Sequence, residues 1–221
     1  MNIWKLITDS FMRILLPGLT VTIPLTIISF ALAMVIGTVT ALVQFADLKG
    51  LKQLARLYIW IIRGTPLLIQ LFVVFYGLPS VGIVIDPFPA AVLVFCINEG
   101  AYSAETIRGA LESVPKGQME AGYCAGLNFI QIMWHIVLPQ AFRTAFPSLA
   151  NSLIAMVKDT SLAANITVME MFMVTQQIVA RTYQALILYL ELAFIYLMFS
   201  TVLTKLQSYV EHRLNQRGIQ R

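Results

Sequence analysis

The chain has 221 residues, of which 58% are apolar and only 12% are charged. This composition excludes an ordinary soluble domain with a charged surface and favours a chain that lies in a lipid bilayer. The formal net charge of +4 indicates no nucleic-acid partner, because membrane topology accounts for most of it, as argued below.

Five stretches contain the run of about 20 predominantly apolar residues that a helix needs to cross a bilayer. The first has no charge in 25 residues and no small-residue cleavage pattern after it, so it is a retained helix and not a signal peptide. The sequence predicts an all-α integral membrane protein with a transmembrane domain over 19–205. Its five predicted transmembrane helices are roughly residues 19–43, 57–80, 88–109, 147–170 and 184–205.

Residues 1–18 form a separate predicted segment. Lys5, Thr8, Asp9 and Arg13 occupy one face of a helix here, and apolar residues occupy another. This amphipathic pattern predicts an N-terminal helix that lies in the membrane interface. The apolar face consists of Ile3, Trp4, Ile7, Phe11, Ile14 and Leu15.

The basic residues predict the orientation of the chain. If the long segment 112–142 is cytoplasmic, five spans place the N-terminus outside and the C-terminal tail, 206–221, in the cytoplasm. Eleven lysines and arginines then lie on the cytoplasmic side and three outside, as basic residues distribute in membrane proteins. The sequence therefore predicts a multi-pass protein of the cell membrane, and the family resemblance described below implies a bacterial one.

Signals for catalysis or metal binding are weak. Cys96 falls in the third predicted span and Cys124 in the cytoplasmic segment, so no disulfide between them is expected. His135 and His212 are scattered, which gives no metal-ligand spacing. Phosphate-binding loops and nucleophile elbows are missing as well. We therefore expect neither an enzyme nor a cofactor or metal held by this chain.

The cytoplasmic segment contains residues that typically begin and end a pair of short helices. Pro115 suits the first turn of a helix and Gly126 its left-handed C-terminal stop. Asn128 then resembles an N-cap, with Gln131 three residues later as in a capping box. Pro139 is expected to end the second helix. The pair is either a helical linker or a docking surface.

The spacing within this segment resembles the cytoplasmic signature of the permease subunits of bacterial ABC importers. That signature is an acid and two alanines, a glycine after three residues, and isoleucine-any-leucine-proline after nine more. The chain departs from it at Gly122, where a second alanine is usual. The matching residues are Glu120, Ala121, Gly122, Gly126, Ile136, Leu138 and Pro139.

Three longer stretches resemble the polar amino acid branch of that family. They are "RGTPLLIQLFVVFYGLP" (63–79), "NEGAYSAETIRGALESVPKGQMEAG" (98–122) and "VKDTSLAANI" (157–166). Within that branch, "GLPSVGIVIDPFPAA" and "LQSYVEHRLNQ" are most similar to permeases for L-cystine.

The resemblance implies a subunit that pairs with a second copy or a homologous permease. It implies two ATP-binding subunits on the cytoplasmic side, which would hydrolyse ATP with Mg, and an extracytoplasmic solute-binding protein that delivers the amino acid. Residues 115–126 would then be the rigid element that couples the ATPase to the membrane helices. Glu120 would cap or pair within that element, or else remain a solvated charge.

Ionisable residues inside predicted spans need a reason, because each costs roughly 2.5 to 3.5 kcal/mol at the bilayer centre. Lys158 and Asp159 lie near the middle of the fourth predicted span, and Glu99, preceded by Asn98, near the middle of the third. They either pair to fix helix packing or line a path for a zwitterion. In the second case a carboxylate would meet the α-ammonium and Lys158 the α-carboxylate.

Three more residues are candidates for that path. The hydroxyls of Thr160 and Ser161 would serve it or else bond their own helix. Arg63 could grip a carboxylate with two hydrogen bonds, or simply anchor the cytoplasmic end of the second span. The Gly64-Thr65-Pro66 sequence after it interrupts a helix, and broken membrane helices commonly accompany cavities.

The alternative function is a self-sufficient ion-coupled transporter or channel, with Glu99 and Asp159 as coupling carboxylates. An internal inverted repeat would favour it, and none is evident. A membrane-embedded enzyme is the third possibility, and the spans offer no convincing nucleophile and base.

Overall fold

The computed structural model describes residues 3–46 and 48–219. The outermost residues of the predicted terminal segments 1–18 and 206–221 lie outside that part. Within it, helices and the turns between them make up the fold, and no strand is present. The prediction of an all-α protein is confirmed.

Ten α-helices follow one another in the described chain, and several continue into π- or 3-10-helical turns. The α-helices are α1 (Ile3–Pro17), α2 (Ile23–Phe45), α3 (Leu51–Arg63), α4 (Leu67–Phe72), α5 (Pro87–Glu112), α6 (Lys116–Cys124), α7 (Phe129–Ile132), α8 (Leu138–Asp159), α9 (Met171–Thr182) and α10 (Ala185–Ile219). The π-helical turns are Gly18–Thr22, Val73–Gly77 and Met133–Val137, and the 3-10 helices are Leu78–Val81 and Thr160–Ile166.

Helix α1 continues into α2 through a π-helical turn, so the backbone has no break at residue 18. Leu6, Ser10 and Ile14, four residues apart, form its buried stripe. Trp4, which the sequence places on the apolar face, is 76% exposed. The helix packs against α9, and an interfacial position for residues 1–18 stays a prediction.

The second predicted span, 57–80, is not one straight helix. Helix α3 ends at Arg63 and α4 begins at Leu67, and the two are bent by 101°. Pro66 has an extended backbone (φ −64°, ψ 137°), which a residue in a continuous helix cannot have. The interruption expected from Gly64-Thr65-Pro66 is confirmed.

Pro139 does not end a helix, contrary to expectation. Helical structure runs from Phe129 to Ile166 without interruption. A π-helical turn at Met133–Val137 directly precedes the proline, and such turns shift the hydrogen-bonding pattern. That shift accommodates a residue without an N–H group, so the second short helix merges into the fourth predicted span.

The last two predicted spans have different limits from those expected. Helix α8 ends at Asp159, and a separate helix, α9, follows a left-handed residue at Thr167 (φ 65°). The fourth predicted span, 147–170, therefore covers the second half of α8 and the whole 3-10 helix Thr160–Ile166, and it ends before α9 begins. The fifth, 184–205, matches the first part of α10, which continues through Ile219.

Not all five predicted spans are equally apolar. Two described helical stretches are long and apolar enough to cross a membrane: Ile3–Phe45 and Ala185–Leu214. Two bent pairs also qualify if each is one span: Leu51–Arg63 with Leu67–Val81, and Phe129–Ile166 with Met171–Thr182. Helix α5, the third predicted span, carries Glu99, Glu105 and Arg108 and is not among them. The count of five stays a prediction.

The chain divides into two compact units, and α2, α5, α8 and α10 contribute residues to both. The first unit contains residues 1–31, 65–96 and 153–205, and the second contains 32–64, 97–152 and 206–221. Apolar clusters form their cores. In the first unit the largest is Leu25, Leu71, Ala90, Ala91, Val94, Phe95, Ala163, Ile166 and Val168.

Small residues allow helices of the second unit to pack closely. Ile59, Ala101 and Ala104 form a buried cluster there. A Cβ atom added at Gly37 on α2 would lie 2.9 Å from the Cβ of Ser103 on α5. Glycine therefore permits these two helices to approach closely, as small residues do in membrane bundles.

Candidate functional site

Lys158 and Asp159 lie where α8 changes into a 3-10 helix. They are the last two residues of α8, and the 3-10 helix Thr160–Ile166 follows at once. Their expected position near the middle of the fourth span stays a prediction. The backbone changes its helical type at the point where the two charges occur.

Lys158 and Ser161 line an open groove of about 500 Å³ in the first unit. Tyr196, Leu197 and Ser200 of α10 form its opposite wall. Lys158 and Asp159 are both exposed, and neither makes a side-chain hydrogen bond or an ion pair within the described part of this unit. The ammonium group is therefore available to an anionic group that enters the groove.

The hydroxyl of Thr160 is engaged locally. Its side chain is fully buried, and its Oγ1 donates a hydrogen bond to the carbonyl oxygen of Val157 at 2.7 Å. Of the two expectations for Thr160, the bond to its own helix is the one observed. Ser161 is half-buried and lines the groove.

Asn98 and Glu99 are half-buried residues of α5 in the second unit. The hydroxyl of Ser103, one turn later, donates a hydrogen bond to Oε1 of Glu99 at 2.8 Å. Glu99 is therefore partly satisfied inside its own helix. A path shared by Glu99 and Lys158, which belong to different units, stays a prediction.

Arg63 takes part in a polar network of the second unit. Its Nη1 lies 3.9 Å from Oε2 of Glu105, and its guanidinium lies 5.1 Å from the centre of the Tyr102 ring. Glu105 was not a candidate in the sequence, although a charged residue within a predicted span is a signal for such a network.

Arg108 is the centre of that network. Its Nε and Nη2 donate to the two oxygens of Glu105 at 3.1 and 2.9 Å, and its Nη1 donates to Glu112 at 2.7 Å. The amide of Gln44 also reaches Glu105, at 3.5 Å. A planar guanidinium suits this two-sided arrangement better than an ammonium would.

The predicted coupling element is an ordered helix with defined ends. Pro115 is its N-cap residue, and Gly126 has a left-handed conformation (φ 78°). The N–H of Leu127 donates to the carbonyl of Gly122, and that of Gly126 donates to the carbonyl of Tyr123. These two bonds form a Schellman motif, which satisfies the last carbonyls of α6.

The helix after this stop begins as expected. The N–H of Gln131 donates to the side chain of Asn128, and the N–H of Asn128 donates to the side chain of Gln131, both at 2.9 Å. The predicted capping box is confirmed. The structure therefore reproduces the predicted pair of helices joined at a glycine, up to residue 132.

Gly122 is the contact between α6 and the following helix. It is buried, and a Cβ atom added there would lie 2.7 Å from Cγ1 of Ile132 and 3.2 Å from Cδ1 of Ile136. Glycine in place of the usual alanine therefore allows a closer approach of the two helices.

The opposite face of α6 is open. Glu120 and Ala121 are exposed, and Glu120 makes neither a cap nor an ion pair with any residue in the described chain. Of its two expected roles, the solvated charge is observed. Leu138 is half-buried and Pro139 exposed. The exposed charge and small side chain leave this face accessible to a partner.

Glu170 is a fully buried carboxylate that sequence reasoning missed. Its two oxygens accept hydrogen bonds from the N–H groups of Phe172 and Met173 at 2.8 and 2.7 Å, so it caps α9. The hydroxyl of Tyr196 donates to it at 3.1 Å. An acid directly before the helical run of α9 was the available signal.

Glu191 was missed as well. It is 8% exposed on α10, and the hydroxyl of Ser10 on α1 donates to its Oε2 at 2.6 Å. Glu191 is the single charged residue between Arg181 and Lys205. That isolation is the same signal that identified Glu99, Lys158 and Asp159.

The comparison with protein families covers most of the chain. The model for the binding-protein-dependent transport system inner membrane component matches residues 33–216. The chain belongs to this family. The resemblance to permease subunits of ABC importers, which the sequence predicted from its cytoplasmic signature, is confirmed.

Relatives within the family are transport proteins. The L-cystine transport system permease protein TcyB of Bacillus subtilis (strain 168) is 45% identical over 214 residues, which cover 96% of this chain and 92% of the relative. TcyL of the same organism, also an L-cystine transport system permease protein, is 40% identical over 81% of this chain and 80% of its own length. The similarity to L-cystine permeases is therefore shown.

Solved structures share the fold of this family member. A chain in the crystal structure of an amino acid ABC transporter with histidines has a TM-score of 0.88 and 31% identity, and the match covers 96% of this chain and 99% of that one. The MetNI methionine ABC transporter in an inward-facing form has a TM-score of 0.78 at 19% identity, with 93% and 98% covered. The second likeness concerns the fold alone.

These matches confirm the predicted class of protein and its membrane location. The chain is a permease subunit of an ABC amino acid importer and an inner membrane component. Its relatives are permease proteins and not enzymes.

Proposed function

We propose that this permease subunit forms the translocation path for a polar amino acid, with L-cystine as the foremost candidate. The observation that carries the cystine assignment is the 45% identity with TcyB over nearly the full length of both chains. In this proposal an extracytoplasmic binding protein delivers the solute. A dimer of ATP-binding subunits supplies the energy from ATP and Mg, and a second copy or a homologous permease completes the membrane part.

The coupling role of α6 rests on its rigidity and exposure. A Schellman motif fixes its end, Gly122 seats it closely on Ile132, and Glu120 and Ala121 remain exposed. A movement of a partner that grips the exposed face is transmitted to the helix that continues into α8. Residues 112–142 would therefore form the cytoplasmic coupling segment, with the N-terminus of the chain outside and the C-terminus inside.

The solute path is proposed at the end of α8. Lys158 would receive the α-carboxylate of the amino acid, and Asp159 would receive an α-ammonium group. Both are exposed, and apart from the electrostatic interaction between these two charges neither has an ionic partner in the described part of its unit. The groove beside Lys158 holds about 500 Å³, which is enough for part of a small solute. Arg63, Asn98, Glu99 and Ser161 are further candidates for the path.

Uptake into proteoliposomes tests the proposal. The chain would be reconstituted with its ATPase and its binding protein, and labelled cystine would be compared with histidine, arginine and glutamine. We expect accumulation of cystine that requires ATP and Mg, and weaker competition by the other three. Transport that an ion gradient drives without ATP would contradict the importer and favour the ion-coupled alternative.

Asp159→Asn tests the path itself. The substitution removes the charge that would bind the ammonium group and keeps the size of the side chain, so we expect uptake to fall at least tenfold with normal insertion and ATPase assembly. Asp9→Asn, at an exposed carboxylate of α1, is the matched control and should transport normally. Equal uptake by both variants would remove Asp159 from the path.

A further inference from the structure

A polar cavity of about 370 Å³ lies in the second unit, away from Lys158 and its groove. Helix α3 and the last turns of α5 supply most of its walls. None of the residues proposed for the solute path lines this cavity. Its charged and aromatic lining residues are Lys52, Arg56, Trp60, Glu105, Arg108 and Glu112.

The two carboxylates of the cavity are already neutralised. Arg108 binds both oxygens of Glu105 and both oxygens of Glu112, at 2.7 to 3.1 Å. Arg63 adds a second guanidinium 3.9 Å from Glu105. These acids therefore offer little repulsion to an incoming anion and little attraction to a cation.

The guanidinium of the cavity that no described carboxylate neutralises belongs to Arg56 on α3. Lys52 and Arg56 are one turn apart, so their side chains lie on the same face of the helix. Arg56 is exposed and has no ion pair with any residue in the described ranges. Since Arg108 is fully engaged, Arg56 is the guanidinium that can bind an anion with two hydrogen bonds.

The same helix also presents an apolar surface beside its charges. Trp60, one turn after Arg56, is 73% exposed, Leu54 is 63% exposed and Ile61 is 46% exposed. An amphipathic helix with basic residues on one face and Trp and Leu on another is typical of a membrane interface. Tryptophan in particular is enriched at the level of lipid headgroups.

We propose that the cavity binds the phosphate of an anionic phospholipid headgroup. Arg56 and Lys52 would hold the phosphate, and the acyl chains would lie along Trp60 and the apolar side of α3. A free phosphate ion would contact only the basic residues. It would not explain the exposed apolar surface of α3 beside them. A zwitterionic lipid would place its ammonium group against carboxylates that Arg108 already occupies. The charge and the apolar surface together therefore favour an anionic lipid.

The experiment uses Trp60 as its own reporter. The chain contains three tryptophans, so Trp4→Phe and Trp134→Phe together leave Trp60 as the single one. The purified full chain would be titrated in mixed micelles with brominated phosphatidylglycerol or brominated phosphatidylcholine, whose bromine atoms quench indole fluorescence. We expect half-maximal quenching at a severalfold lower fraction of the anionic lipid.

Two variants test whether the preference for the anionic lipid arises in the cavity. Arg56→Gln removes a cavity residue, and we expect it to lower the preference for phosphatidylglycerol by roughly fivefold, the effect of one basic residue near an anionic surface. Lys49→Gln removes the same charge from an exposed residue just before α3 that does not line the cavity. This control should change the preference by less than twofold.

Three results would overturn the proposal. Equal quenching by both lipids in the unsubstituted background would show that no anionic site exists. An equal loss in Arg56→Gln and Lys49→Gln would show diffuse surface attraction and no cavity site. Loss of the preference in inorganic phosphate, but not in sodium chloride of the same ionic strength, would identify a site for the free ion. The titration needs no ATPase, so it is independent of the transport assignment.

Discussion

Gly122 and Gly126 lie four residues apart near the end of α6, and the structure requires each for a different reason. Gly126 has a left-handed backbone (φ 78°), and a Cβ atom added there would meet nothing within 4 Å. Gly122 has an ordinary helical backbone, and a Cβ atom there would meet Ile132 at 2.7 Å. One glycine is needed for conformation and the other for close packing.

Substitution of Gly126 by alanine therefore has a purely conformational cost. We expect Gly126→Ala to lower the free energy of unfolding by about 1 to 2 kcal/mol, since a left-handed backbone disfavours a residue with a Cβ atom. Gly117→Ala, at another glycine of α6 with open space around it, should be neutral or stabilising. Melting temperatures in detergent compare the two. A lower value for Gly117→Ala than for Gly126→Ala would contradict the explanation.

The sequence identified candidate site residues where a single residue is unusual for its surroundings. Lys158, Asp159 and Glu99 were identified because charges in apolar runs are costly. The structure adds that Lys158 faces a groove, which depends on α10 and could not be derived from local spacing. Glu191 carried the same signal and was missed. The role of Glu170 as a cap could not be assigned before the start of α9 was known.

The buried side chain of Glu170 caps the N-terminus of α9. Glu170 accepts two backbone hydrogen bonds and one from Tyr196. Glu170→Ala leaves the N–H groups of Phe172 and Met173 unpaired in a buried site, at a cost of about 1 to 3 kcal/mol each. We expect a large fall in the melting temperature and faster hydrogen exchange at these two amides.

Tyrosine variants of α10 separate the hydrogen bond from general packing. Tyr196→Phe removes one bond to a carboxylate that keeps its other two, so it should cost about 1.5 kcal/mol. Tyr189→Phe is the matched control, because its hydroxyl has no hydrogen bond in the described chain and its ring stacks on Phe172. If the two tyrosine variants melt at the same temperature, the bond from Tyr196 to Glu170 does not stabilise α9.

Elements were predictable where local chemistry decides them. The capping box of Asn128 and the left-handed stop at Gly126 were both derived from the sequence and are both present. Pro139 shows the limit of such reasoning. A proline usually ends a helix, and the π-helical turn that accommodates it at Met133–Val137 has no sequence signature comparable to a cap. The N-terminal limit of the fourth predicted span was wrong for that reason.

At the scale of the whole molecule, composition and the cytoplasmic signature were sufficient for the fold class and the family. They were not sufficient for the number of spans. Helix α5 is long enough to cross a bilayer, but its charges make it less apolar than the helices that qualify by composition. Orientation depends on the asymmetry of basic residues, which is a statistical rule. Topology therefore needs a direct measurement.

The two native cysteines provide that measurement. Cys124 is exposed on α6, whereas Cys96 is buried on α5. If α6 is cytoplasmic, a membrane-impermeant maleimide should label the chain in inside-out vesicles and leave it unlabelled in right-side-out vesicles. Cys124→Ser should abolish the labelling, because the buried thiol of Cys96 does not react.

The opposite side of the membrane is tested by Tyr183. This residue lies between α9 and α10, has a left-handed backbone (φ 57°) and is 87% exposed. In a Cys124→Ser background, Tyr183→Cys should be labelled in right-side-out vesicles only, because one crossing by α10 separates it from the cytoplasmic C-terminus. Labelling of Cys124 and Tyr183→Cys from the same side would contradict the predicted topology. Labelling of Cys124 from outside would place α6 beyond the reach of any cytoplasmic ATPase and would exclude its coupling role.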